Sequence, residues 1–372
     1  MKSLHTVDFG IMFGNETSSL DQNHKLVIGP LNTAGQAFQW TNSCRQYLGI
    51  DAVSFAGTRR STKRIDGPSH KRSLHHRVRP ELLKNIWART LLHEATHFLD
   101  ESFTTITGDQ RSVDFRHDLS WIQAKEVSVG VLFHGSEIRS PSRHIEFQKF
   151  SYYRLMQPTE VKEFENATAL TRQLAKDSGL PLFVSTPDLL QDLPEATWLP
   201  VVTDISKWKA PSPAFSGRKL RVLHVPSRRS PPIKGTSFID PIMKRLSEEG
   251  IIEYVSPIQV SHEEMLPLVH SVDVVIDQIL SGFYGVAAIE AMASERLVVG
   301  NLGSDVREIL KDQIPIIDSE PEDLELLIRS IASDPNSYRD IAAAGPAFVE
   351  KFHSGFQSAL VLGNWMNQPF QK

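Results

Sequence analysis

Short apolar runs, each followed by a segment whose apolar residues recur every three or four positions, alternate along the 372 residues of the chain. Runs of that length read as buried strands and the periodic segments as helices, so the alternation predicts an α/β protein with parallel sheets. Leu26–Gly29 reads as a strand, Pro30–Gly35 as a turn and Gln36–Leu48 as a helix. Ala52–Ala56, Val127–Phe133, Pro181–Ser185 and Trp198–Val202 read as further strands, with helices over Pro80–Glu94 and Phe115–Glu126. Residues 207–218, which contain the Pro/Ser/Gly-rich WKAPSPAFSG, read as a linker. Beyond it the rhythm restarts. Strands are expected at Leu220–Val225, Ile251–Val255, Val272–Ile276 and Leu297–Gly300, with helices at Ser237–Glu249, His262–His270 and Val286–Ala293. Two such halves predict a first domain over 1–206 and a second over 219–345, with the cleft between their sheet ends as the expected ligand site.

Composition narrows the classes. Hydrophobic residues make up 40% and charged residues 23%, and no apolar run approaches the ~20 residues of a membrane span. The N-terminus has no stretch like a secretion signal, and the expectation is a soluble, cytoplasmic protein. Cys44 is the single cysteine, which excludes an intramolecular disulfide and a thiolate-rich metal site. The net charge of -4 is unevenly spread: residues 58–80 carry eight Lys/Arg, three His and one Asp. The plain reading of that run is a solvated loop; the sharper one is peripheral contact with an anionic membrane surface. It holds no aromatic residue and the chain is acidic overall, so nucleic acid is not expected as a partner.

One stretch, LLHEATHFL, contains His93-Glu94-x-x-His97, the spacing of a zinc-hydrolase helix. Zinc needs both histidines on one helical face. The residues after Ala95 are aromatic and β-branched and favour a strand, so the helix is expected to stop between His93 and His97. The zinc reading stays as the minor alternative, with Glu126 as a distant third ligand, and no metal is expected.

The most informative segment is DQILSGFYGVAAIEAMA, residues 277–293. Gly282 and Gly285 let the backbone approach a ligand, and the helix that opens near Gly285 aims free N–H groups and the positive end of its dipole at the same place. A diphosphate suits that environment. Glu290, on the second turn, is placed to accept hydrogen bonds from a ribose diol. The same strand–glycine–helix unit also serves as plain scaffold in many proteins.

This segment resembles the donor-binding motif of nucleotide-sugar glycosyltransferases of the GT-B fold, close to the retaining family four. That motif pairs two glutamates eight positions apart. Here the position eight before Glu290 is Gly282, so the first glutamate, which holds the donor sugar in the family, is absent. The resemblance leaves Asp277 or Gln278 to take over its contact, and it extends to Tyr284, Gly285 and Val286. SRRSPPIKGT, after a strand, is similar to the family's Arg and Lys-Gly pair, with Lys234 and Gly235 the firmer match and Arg228 and Arg229 competing for the other cation. His134, in HGSEIR at a strand end, resembles an element that faces the cleft and contacts the sugar. GPLNTAG, with Gly29, Asn32 and Gly35, is similar to the acceptor-side loop, and residues 346–372 to a final helix that crosses back to the first domain.

The resemblance implies a GT-B fold of two Rossmann-like domains and transfer of a sugar from a nucleotide diphosphate sugar to an acceptor hydroxyl. It implies Lys234, Arg229 and His134 as the catalytic set, retention of anomeric configuration, and no cofactor beyond the co-substrate. The acceptor is a carbohydrate, lipid-linked or small molecule. A non-catalytic nucleotide-binding relative remains the alternative, because the first glutamate is missing.

Overall fold

The apolar runs fold as parallel strands. A computed structural model describes residues 23–56, 89–106, 115–216, 219–226, 234–258, 260–311 and 313–368. The basic run 58–80, most of the helix expected from Pro80, and Arg228 with Arg229 lie outside the described residues. The first sheet comprises β1 (Lys25–Gly29), β2 (Asp51–Ser54), β3 (His97–Glu101), β4 (Ser128–Phe133), β5 (Leu182–Val184) and β6 (Thr197–Trp198), in the order β2-β1-β3-β4-β5-β6. The second comprises β7 (Leu220–Leu223), β8 (Ile252–Val255), β9 (Val274–Ile276), β10 (Leu297–Gly300) and β11 (Ile316–Asp318), in the order β11-β10-β9-β7-β8.

Both orders share one rule. The first strand of each sheet lies between its second and third strands, so the crossovers reverse direction beside it, and ligands of open α/β sheets gather outside the strand ends at such a point. In the first sheet that point lies between β1 and β3, registered Leu26 to His97. In the second it lies between β7 and β9, registered Val222 to Val274.

The chain divides into two compact units, residues 1–132 with 355–372, and residues 133–354. In the first unit Leu26, Val27, Ile28, Phe98 and Leu99 are completely buried, each worth about 1.5–3 kcal/mol of transfer from water. Helix Phe356–Met366 belongs to this unit, and Trp365 meets the His97 ring edge to face at 5.1 Å. His93 is exposed at the end of a helical segment, Glu94 pairs with Lys25, and His97 opens β3 with 5% exposure. The helix stops where the strand-favouring residues begin, and no common helical face for two histidines forms. Among the described residues no three His, Cys, Asp or Glu side chains are grouped to hold a metal ion.

The second unit is built around β7–β11, with Val222, Ile239, Met243, Val274, Ile276, Leu297 and Val299 in one core. Trp208, Ala214 and Phe215, inside the expected linker, are buried too, and the fully buried Arg296 guanidinium donates to the carbonyls of Ser212, Val272 and Ser294. Between β4 and β5 two helices went unread in the sequence. Pro141–Phe147 starts at a Ser140 cap, and Pro158–Ser178 starts in a Gln157/Glu160 capping box and ends at Gly179 in left-handed geometry. The strand expected over Trp198–Val202 is only Thr197–Trp198, because Pro200 supplies no N–H to a ladder. Among the described residues no helix is long and apolar enough to cross a membrane.

Four buried histidines make the fold acid-sensitive. Burial pushes His97, His144, His224 and His353 down to about 4, so each is neutral in the folded state at pH 7. A depressed histidine contributes stability that is complete above its unfolded value near 6.5 and is lost as pH falls through 4. The thermal midpoint is therefore expected to fall steeply between pH 6.5 and 4, with up to four protons taken up on unfolding. A midpoint constant over that window would contradict the burial.

Candidate functional site

At the strand ends of the second sheet, the switch point between β7 and β9 is bridged by one ion pair. Lys234 follows β7 and Asp277 follows β9; the Lys234 Nζ donates to Asp277 Oδ1 at 2.7 Å. The carboxylate is 2% exposed, and its other oxygen accepts the Gly285 N–H at 3.1 Å. Asp277 thus holds a cation on one side and the start of helix Val286–Ala293 on the other. That helix is alanine-rich, which favours it intrinsically, and its N-cap Gly285 receives no side-chain cap. The N–H groups of Val286 and Ala287 make no hydrogen bond among the described residues and stay available to an anion.

Below this turn lies His224, the residue after β7. Its Nδ1 lies 2.9 Å from the Ile276 carbonyl, which can only accept, so Nδ1 carries the proton and Nε2 accepts from the Thr236 hydroxyl at 2.9 Å. The neutral ring ties β7, β9 and helix Thr236–Glu248 together, close enough to Lys234 to feel its charge. The sequence reading missed it; a polar residue closing an apolar strand was the available signal.

Gly235 sits at φ 86°, and a Cβ there would press on the Ile279 side chain and reach 3.1 Å from Leu280 Cγ. Gly235→Ala is expected to destabilise the protein by about 2 kcal/mol, measured as a lower denaturant midpoint, through backbone strain plus overpacking. An unchanged midpoint would sink that account.

Glu290 lies on the same helix with 6% exposure. Burial outweighs the pull of Lys207 and Lys234 and raises its carboxyl to about 8. At neutral pH it is chiefly protonated, able both to donate to and to accept from a diol. His262 Nδ1 stands 3.8 Å from its Oε1, with the His262 ring held low by burial.

Other expected residues have defined places. Tyr284 is buried, and its hydroxyl donates to His353 Nε2 at 3.1 Å while His353 Nδ1–H donates to the Val201 carbonyl at 2.8 Å, which braces the turn. Gln278 is also buried, with its backbone carbonyl accepting the Asn301 N–H at 2.8 Å and its side-chain amide beside Gly285. Gly282 is at φ 71°. His134 is half-buried after β4, and its backbone N–H donates to the Glu137 carboxylate, which closes the HGSE turn. Arg139, from the same element, is buried against Asp188 through two donors at 3.0 and 2.7 Å and lies 4.4 Å above the Phe283 ring. Burial disfavours the guanidinium charge, but the Asp188 pairing with the neighbouring tyrosines outweighs it and raises the guanidinium further.

Gly29, Asn32 and Gly35 belong to the other unit. Their loop leaves β1 and is gripped by Glu101, the last residue of β3, which accepts the N–H groups of Leu31 and Asn32 at 2.7 Å and of Thr33 at 3.3 Å. An internal carboxylate therefore occupies the anion-seeking backbone of this loop. Asn32 adopts φ 50°, and its side-chain oxygen accepts the Phe38 N–H at 3.2 Å.

No family model matches the chain, and no curated protein matches its sequence. Solved structures do match its fold. Sucrose-phosphate synthase from Thermosynechococcus elongatus is 13% identical with TM-score 0.59, covering 92% of this chain and 97% of that one. The Anabaena protein HepE in complex with UDP and glucose is 12% identical with TM-score 0.53, covering 92% and 99%. A glycosyltransferase from Rickettsia africae is 12% identical with TM-score 0.54, covering 94% and 100%. With two parallel sheets and a structural match along nearly its whole length, the chain has the α/β fold of the GT-B glycosyltransferases.

Proposed function

We propose that the protein is a glycosyltransferase that moves a sugar from a nucleotide diphosphate sugar to an acceptor hydroxyl. One observation carries this reading: Lys234, the open helix turn at Val286 and the buried Glu290 converge at the switch point of the second sheet. The fold adds support, since HepE, which shares it, is known in complex with UDP and with UDP-glucose.

In this reading the Lys234 ammonium and the N–H groups of Val286 and Ala287 neutralise the diphosphate as the bond to the sugar breaks. Asp277 orients Lys234 and fixes the helix start. Glu290 holds the ribose, its protonated carboxyl serving both hydroxyls. The anomeric configuration is retained, the leaving phosphate draws the proton from the acceptor, and no metal takes part, as in the retaining family four that the 277–293 segment resembles. Arg228 or Arg229 supplies a second cation, and His134 contacts the sugar.

The direct test incubates the protein, free of metal, with uridine, guanosine and adenosine diphosphate sugars, with and without simple glycoside acceptors, and follows nucleoside diphosphate release. Release with one donor, and a product of the same anomeric configuration by proton NMR, is the expected result. Gly282, which offers no side chain to a sugar, favours the second reading, a nucleotide-binding relative without turnover. Binding of a nucleoside diphosphate with no release from any donor would select it.

A further inference from the structure

The helix Pro141–Phe147 ends beside the glycine turn, and its closing residue, Gln148, stands where a side chain on Gly282 would go. We propose that Gln148 reads the donor sugar, its amide supplying the hydrogen bonds that residue 282 cannot make. This rests on the glycosyltransferase reading and adds the residue that sets sugar specificity.

The placement of Gln148 is enforced from both sides. His144 Nε2 lies 3.0 Å from the Ser281 carbonyl, which can only accept, so this nitrogen is the donor and Nδ1 accepts from the Ser151 hydroxyl at 2.6 Å. The Tyr152 N–H donates to the Leu280 carbonyl at 3.3 Å. Residues 144–152 are thereby fastened to residues 280–281, and the chain between them carries Gln148 across the turn. There it lies over two glycines. A Cβ on Gly282 would overlap the Gln148 amide, and a Cβ on Gly303 would stand 2.7 Å from Nε2. The Gly303 N–H donates to the Gly282 carbonyl at 2.7 Å, so both loops meet under the same amide.

Chemistry then decides what the amide is for. Gln148 is half-buried, yet its side chain makes no hydrogen bond among the described residues. The amide stays within reach of solvent, so its two donors and its acceptor oxygen are open to a ligand. Asp305 brings a carboxyl to the same spot, since the Cβ that would meet Gln148 at Gly303 would also meet Asp305 Oδ1. An amide and a carboxyl converge at the ends of β9 and β10, beside the turn proposed to take the diphosphate. A ring with neighbouring hydroxyls, each of which donates and accepts, satisfies that pair; a phosphate, already served by Lys234 and the helix, does not need it.

The experiment compares wild type with Gln148→Ala and Gln148→Glu by calorimetric titration. The ligands are UDP-glucose, UDP-N-acetylglucosamine, GDP-mannose and ADP-glucose, each beside its own nucleoside diphosphate, with thermal midpoints recorded for every variant. The expected result is that Gln148→Ala weakens the preferred nucleotide sugar about tenfold while leaving its nucleoside diphosphate within about twofold, and that Gln148→Glu alters the ranking of sugars. Equal weakening of both ligands, or of neither, overturns the inference while the glycosyltransferase reading stands. So does a wild type that binds nucleotide sugar no more tightly than nucleotide. A wild type that binds no nucleotide at all removes both.

Discussion

On the glycosyltransferase reading, Lys234→Ala is expected to lower the rate of sugar transfer by a factor on the order of 10²–10³, the scale on which a single preorganised charge at a developing anion acts. The loss falls on turnover more than on donor affinity, because the charge it opposes grows as the diphosphate departs. A structural cost accompanies it. Without the ammonium, the 2%-exposed Asp277 carboxylate keeps, among the described residues, the Gly285 N–H alone, and an unpaired buried charge costs about 3 kcal/mol. Lys234→Ala/Asp277→Asn separates the two effects, since asparagine still accepts from Gly285 without carrying charge. The double variant should recover the unfolding midpoint and remain inactive. Recovery of turnover along with stability would reduce Lys234 to a strut.

The second large effect is on pH. A carboxyl raised by burial from about 4.5 to about 8 contributes stability that is complete below its unfolded value and is lost as pH rises through its folded one. Wild type should therefore lose on the order of 4 kcal/mol from this group between pH 4.5 and 9, opposite in sign to the loss from the four histidines below pH 6.5. Glu290→Gln, neutral at every pH and similar in shape, should be level across the alkaline window and still bind nucleoside diphosphate, whereas Glu290→Ala should bind it poorly. Chemical denaturation of wild type and Glu290→Gln at pH 6 and pH 9 decides it; parallel losses in both proteins would refute the buried, protonated carboxyl.

Much of the site was legible before any fold was known. The segment 277–293 announces its turn and helix by composition alone, with two glycines before an alanine-rich run, and the helix forms over Val286–Ala293 as expected. The junction in LLHEATHFL was readable for the same local reason, since β-branched and aromatic residues after Ala95 end the helix and His97 opens β3. Lys234 and Asp277 were both marked, but not as a pair 43 residues apart.

Local pattern determined the α/β class, the strand and helix positions near the site, and the candidates Lys234, Gly235, Gly285 and Glu290, because periodicity and glycine geometry act within a few residues. The tertiary structure alone decided which polar groups meet: Glu101 on the loop after β1, His144 on the Ser281 carbonyl 137 positions away, and Gln148 over Gly282. It also decided that the Tyr284 hydroxyl is tied to His353 and that burial raises the Glu290 carboxyl. Those outcomes depend on which strands become neighbours and how much water each group loses, and neither is encoded within any one segment of the chain.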